Sequence, residues 1–148
     1  MNHEDAIELP DDEKCAFCAY LSGERPYTIA GRNQQIAVLV TREQRGTPHL
    51  LVIPIRHVRT VLDIDDEEAK ALMVGVRQTA LAITRSYGRA GIAIWQNNGI
   101  PADQTISHVH YHVAGTLEGG GTNRGSVEEL SLAATEEIAQ QITPYLNI

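Results

Sequence analysis

Long apolar runs are missing from this chain. The longest, near Ile36 to Val40 and Leu50 to Ile55, fall far short of the roughly 20 residues that a membrane-spanning helix needs. The opening Met1-Asn2-His3-Glu4-Asp5 is acidic, and no apolar core of signal-peptide length follows it. The expectation is a cytoplasmic protein with no membrane partner. Positive charge is scarce as well: 12 Lys and Arg against 19 Asp and Glu leave a formal net charge of −7. That balance argues against broad nucleic-acid binding, which needs a basic footprint, and leaves a small phosphate ester open as a ligand. With only 2 cysteines, a metal or free thiols in a reducing compartment fit better than a disulfide. No internal repeat is present. A chain of 148 residues fits one domain, which at this size buries roughly 68 to 70% of its unfolded surface.

Histidine is where the chain concentrates its chemistry. Of 6 histidines, three alternate with apolar residues in His108-Val109-His110-Tyr111-His112-Val113. Period two is the mark of a strand with one buried face, so the imidazoles should share one side while Val109, Tyr111 and Val113 face the core. At about 3.3 Å of rise per residue, His108 and His112 stand roughly 13 Å apart, too far to hold one ion together. The three must divide their labour. Cys15-Ala16-Phe17-Cys18 places two thiols at the spacing that zinc sites use, though two cysteines alone do not distinguish a metal site from a reduced or redox pair. Asn97-Asn98-Gly99 reads by itself as a turn after a strand.

These blocks together resemble the histidine triad (HIT) family. Asn97, Gly99, Gln104 and Thr105 stand where similar proteins carry an Asn-x-Gly and a Gln-Ser/Thr before the triad. Pro48-His49-Leu50-Leu51-Val52-Ile53-Pro54-Ile55-Arg56-His57 resembles the family's His-x-Leu-Val-Ile-Pro-x-x-His segment. The resemblance runs from about Cys15 to Val113 and points to the hydrolase branch, nucleoside phosphoramidases and dinucleoside polyphosphate hydrolases, because a Gln in place of His112 would instead resemble galactose-1-phosphate uridylyltransferases. It implies His110 as the nucleophile that attacks the α-phosphate of a nucleoside monophosphate derivative, such as an adenosine phosphoramidate, through a covalent nucleotidyl-histidine intermediate. A neutral imidazole with a pKa near about 6.5 suits that role, provided a backbone carbonyl holds its other nitrogen as a donor. The resemblance places His112 and His49 against the phosphate, and Gln104 and Thr105 near the phosphate and leaving group. Asn97 and Gly99 would shape the adjoining wall.

Relatives with the Cys-x-x-Cys pair bind zinc through it together with histidines that map to His57 and His108. Cys15, Cys18, His57 and His108 would form a closed tetrahedral set that suits structural Zn²⁺, with no organic cofactor implied. Family members are commonly homodimers. One departure stands out: relatives often carry Asp or Asn for the ribose hydroxyls eight residues before His49, and this chain has Thr41, which puts ribose recognition in doubt. The charged segment Arg42 to Thr47 follows it. A zinc-stabilised nucleotide- or partner-binding module with vestigial catalysis is therefore the alternative. A catalytic zinc enzyme is a third reading, disfavoured by the strand spacing.

The element pattern predicts an α+β fold with a mainly antiparallel sheet, a long central helix and a C-terminal helix, which matches the HIT-like fold that the resemblance implies. Residues 1–14 read as an acidic N-terminal tail ahead of a single domain over 15–148. A short helix is expected over Cys15–Leu21, with strands near Thr28–Ala30, Gln35–Thr41, Leu50–Pro54 and Ile92–Gln96 and at the triad. Asp65 with Glu68 makes a capping-box start for a helix that runs to Tyr87 and stops at Gly88, with Leu72, Val76, Ala80 and Ile83 as its apolar face. Ser126 with Glu129 is expected to cap the last helix, which Pro144 closes. Leu117–Arg124, with Gly119-Gly120-Gly121, reads as a mobile loop.

Overall fold

In the computed structural model, which describes residues 6–148, five strands form one antiparallel sheet in the order β1-β2-β3-β5-β4. The strands are β1 (Ile29–Arg32), β2 (Ile36–Val40), β3 (His49–Pro54), β4 (Ile92–Gln96) and β5 (Tyr111–Gly115). With α1 (Ala16–Ser22), α2 (Asp66–Tyr87) and α3 (Leu132–Ile142), this is the α+β architecture expected. The acidic stretch Met1–Asp5 lies outside the described residues.

Every residue of β2 and β3 is buried, as a central strand covered on both faces requires. One face carries Val38, Val40, Leu50, Val52 and Val113 against Leu72, Val76 and Ile83 of α2 and Ile142 of α3. The other carries Ala37, Leu39, Leu51 and Ile53 under Phe17 of α1. The predicted apolar stripe of α2 is the surface it buries. Gly75 is where α2 touches the sheet, since a Cβ there would lie 2.3 Å from Ile36 Cδ1.

The long helix begins as its sequence demands: Asp65 accepts from Glu68 N–H and Glu68 returns a bond to the cap backbone. It stops at Gly88 in the left-handed conformation. The C-terminal helix differs from expectation. Its N-cap is Ser131, whose side chain accepts from Ala134 N–H at 3.1 Å, and Ser126 with Glu129 lies in the extended segment before it. Arg42 accounts for the difference. Its carbonyl accepts from Leu130 N–H at 2.8 Å, its Nε donates to the Leu130 carbonyl at 2.7 Å, and its guanidinium pairs with Glu129 at 3.5 Å. The pairing draws off the Glu129 carboxylate that the local capping box would have used, and the two backbone bonds tie Leu130 to Arg42.

The triad strand is also shorter than its alternation suggests. Only His112 lies within β5; His108 and His110 sit in the irregular approach to it, where Val109 N–H bonds to Val58 O at 2.7 Å rather than into the ladder. Alternation nonetheless persists, with Tyr111 and Val113 on the α2 side and His108 and His110 against Phe17. The 117–123 segment is tied by bonds from Leu117 N–H to Gly121 O and from Asn123 N–H to Arg45 O. Its three glycines all have positive φ, between 70° and 100°.

Candidate functional site

Four groups from distant parts of the chain converge beside α1. Cys15 is the N-cap of α1, and Cys18 lies one turn later, so the Cys18 N–H donates to Cys15 Sγ. His57 follows β3, and His108 precedes β5. Their nearest atoms stand at 3.4 Å (Cys15 Sγ to His108 Nδ1), 3.6 Å (Cys18 Sγ to His108 Nδ1), 3.4 Å (Cys18 Sγ to His57 Nδ1) and 3.3 Å (between the two Nδ1 atoms), and all ligand atoms lie within 4.8 Å of one another. A tetrahedral ion with metal–sulfur bonds of about 2.3 Å and metal–nitrogen bonds of about 2.0–2.1 Å has S···N edges near about 3.6 Å and N···N edges near about 3.3 Å. These are the edges present, so the donor set fits a tetrahedral ion. The neighbours fit as well. His108 Nε2 lies 2.8 Å from the Pro54 carbonyl, which can only accept, so the proton sits there and Nδ1 is free to ligate. His57 Nε2 faces Asp12 at 3.6 Å. Burial, with Cys15 beside it, pushes the Cys18 thiol up to about 11, a cost that a bound cation reverses by taking the thiolate.

The second cluster is built on the same segment. His110 Nδ1 lies 2.7 Å from the His108 carbonyl, so Nδ1 carries the proton and Nε2 keeps its lone pair. Burial holds its pKa below the ordinary value, and the ring is neutral at pH 7. The peptide that presents a ligand to the metal-type centre thus also sets the tautomer of His110. His112 and His49 are diagonal neighbours on one face of β5 and β3, given the Leu51–His112 register, and His49 Nε2 meets His112 Nδ1 at 2.9 Å. On its far side His49 Nδ1 is 3.1 Å from Arg45 N–H and 3.1 Å from the Glu43 carbonyl. When Arg45 N–H donates to Nδ1, His49 Nε2–H donates to His112, and His112 is left with an N–H at Nε2. Burial first, and then the neighbouring imidazoles and Arg45, keep His112 far below its usual pKa; burial brings His49 down to about 4.

A cleft of about 320 Å³ opens beside these rings. His49, His110, His112, Thr105 and Thr41 line it, as does Phe17. Of the residues singled out from sequence, Gln104, Asn97 and Gly99 do not. Gln104 is buried, with its amide wholly engaged by the main chain: Oε1 accepts from Gly99 N–H at 2.7 Å, and Nε2 donates to the Arg59 and Ile106 carbonyls at 2.8 and 2.9 Å. It braces the loop that carries Thr105. Gly99 has φ +92°, and a Cβ there would come within 3.1 Å of Ile7 and 3.3 Å of the Glu8 carbonyl, so its backbone packs against the 7–8 segment and not along the cleft. Thr41 Oγ1 accepts from Glu43 N–H at 3.2 Å, which shapes the turn after β2.

Sequence reasoning passed over several lining residues. Tyr20 and Tyr27 stack at 4.0 Å, with Arg25 over the outer face of Tyr20. Glu43 and Glu129 bring carboxylates to the cleft, each paired to an arginine, at 3.6 Å (Arg45) and 3.5 Å (Arg42). Arg45 also reaches the Asn123 and Gly125 carbonyls. Arg42 and Arg45 therefore clamp the 123–130 segment along the cleft. Only the charge of the 42–47 stretch signalled any of this.

An antiparallel α+β fold carrying a Cys₂His₂ cluster joined through one histidine to a buried imidazole cluster defines a histidine-centred class of protein. The chain belongs to the HIT family: the HIT domain matches residues 22–119. It is 28% identical to an uncharacterized HIT-like protein of Methanocaldococcus jannaschii over 86% of this chain and 98% of that protein. It is 31% identical to the protein hit of Bacillus subtilis over 68% of this chain and 70% of the relative. An adenosine 5′-monophosphoramidase of Schizosaccharomyces pombe is 26% identical over 67% of this chain and 71% of its own length. Among solved structures, a HIT-like protein of Bartonella henselae superposes with a TM-score of 0.84 at 24% identity, covering 93% of this chain and 99% of its own. A Zn-bound histidine triad protein of Mycobacterium smegmatis does so at 0.74 and 24%, covering 90% and 93%. Among the described residues no helix is long and apolar enough to cross a membrane.

Proposed function

We propose that this chain is a hydrolase or transferase acting at the α-phosphate of a nucleoside monophosphate derivative, an adenosine 5′-phosphoramidate or a close analogue. The observation that carries the reading is the bond from His110 Nδ1–H to the His108 carbonyl, which leaves a neutral, unprotonated Nε2 in a cleft of nucleotide size. Nε2 attacks phosphorus, a P–N bond to His110 forms, and the bond to the leaving amine breaks as that nitrogen takes up a proton. Water then attacks phosphorus and the histidine leaves, giving the nucleoside monophosphate. His112 donates its Nε2–H to a non-bridging oxygen with His49 behind it, and Thr105 lies against the same group. Gln104, bonded to Gly99 N–H and to the Arg59 and Ile106 carbonyls, acts by holding the loop that bears Thr105.

Cys15, Cys18, His57 and His108 hold a structural Zn²⁺, which the tetrahedral edges and the Zn-bound relative support; when bound, it fixes the segment from which His110 is presented. Family membership supports a cytoplasmic homodimer with residues 15–148 as one domain, and exposed Met73 of α2 and Ile94 of edge strand β4 offer apolar contact surface. The testing experiment is release of a fluorescent amine from adenosine 5′-phosphoramidate. Wild type turns over, and His110→Ala loses about two orders of magnitude or more in kcat. Micromolar AMP binding with no turnover by the folded wild type would establish the binding-module alternative.

A further inference from the structure

The chain's single tryptophan, Trp95, is the direct cross-strand partner of His112 in the β4–β5 pairing. The indole and imidazole planes are 6° from parallel, with centroids 4.6 Å apart, and His49 packs on the same indole at 5.1 Å. Trp95 is not among the cleft-lining residues, so a bound ligand meets His112 and not the indole. We propose that Trp95 is a positioning residue for phosphoryl chemistry in this cleft: its ring face fixes the plane of His112 and favours the imidazolium that forms when an anion binds.

The orientation follows from two constraints. The bond between His49 Nε2 and His112 Nδ1 fixes one direction in the ring, with His49 accepting from the imidazolium and turning its own Nδ1–H to the Glu43 carbonyl at 3.1 Å, and the stack fixes its plane, which leaves Nε2 aimed at the cleft. The charge preference follows from what surrounds the ring. His49 faces it from β3, His110 from the approach to β5 at 5.0 Å between centroids, and the Arg45 cation acts on it from the β2–β3 loop. None of these favours a cation on His112. The indole alone, through the negative potential over its face, stabilises one, and its effect is greatest when a phosphate arrives to complete the charge. Glu43 and Glu129 also line the cleft but are paired to arginines.

The inference rests on the reading of His112 as a phosphate-contacting group, and two arms separate their failures. In the first, Trp95→Leu lowers kcat for adenosine 5′-phosphoramidate by about tenfold or more with KM changed by less than about threefold, and Trp95→Phe, which keeps a ring face, retains kcat within about threefold. In the second, AMP at saturation quenches the emission of Trp95 in the otherwise native protein, and His112→Gln abolishes the quench. A Trp95→Leu protein with wild-type melting temperature and wild-type kcat overturns the proposal. So does unchanged emission in wild type saturated with AMP by calorimetry. A wild type that binds and quenches with AMP but does not turn over keeps the proposal and sinks the hydrolase reading; one that neither turns over nor binds overturns both.

Discussion

His49 shows most directly how burial sets chemistry at single residues. Its folded pKa is about 4 because burial penalises the imidazolium, whereas the unfolded chain titrates near about 6.5. The folded state therefore refuses a proton that the unfolded state accepts between those values, and stability falls as pH drops from about 6.5 toward 4. From His49 alone, the unfolding free energy should be lower at about pH 4.5 than at pH 7 by on the order of 2 kcal/mol. Urea titrations at the two values on wild type and His49→Gln measure it as the part of the pH difference that the substitution removes, the other buried imidazoles keeping the rest. Gln104 and Thr41 teach a second lesson at this scale. Both carry groups able to meet a substrate, yet the Gln104 amide and the Thr41 hydroxyl are bonded to the main chain. Residue type announces capacity; the nearest partner decides its use.

Among the elements, α2 was legible from end to end, because its cap, stripe and stop are all local: Asp65 with Glu68 at the start, Leu72, Val76 and Ile83 inward, Gly88 at the end. Asp65→Ala removes the bond to Glu68 N–H and should cost about 1 kcal/mol, read as a lower midpoint in urea with an unchanged m-value. α3 was not legible at its start, since Ser126–Glu129 and Ser131–Ala134 offer competing caps and the choice belongs to Arg42, 88 residues away in the bond to Leu130. The short β5 has a similar cause. Alternation is set by which side chains are buried and so survives outside the ladder, while strand length depends on backbone partners that the pattern does not contain.

At the scale of the whole molecule, the Cys₂His₂ centre joins the start of α1, the end of β3 and the approach to β5 in one knot. If the ion is resident, the purified protein should carry about one zinc per chain, and less than about half would overturn the structural-site assignment. Chelation should lower the melting temperature and added Zn²⁺ should restore it, as thermal scans with and without chelator would show.

Sequence by itself determined the local things: the period that faces three imidazoles one way, the α2 stripe and caps, the spacing of two thiols, and through them the α+β order; His57 and His108 joined the thiols as candidate ligands through the family resemblance. Only the tertiary structure decided that His108 turns Nδ1 toward the two thiols while its carbonyl sets His110, that Gln104 braces a loop, that Arg42 and Arg45 clamp the cleft wall, and that Trp95 stacks on His112. Each of these depends on bonds or contacts between residues far apart in the chain or across a strand pair, where the partner is chosen by packing and desolvation of the folded whole, which no local pattern encodes.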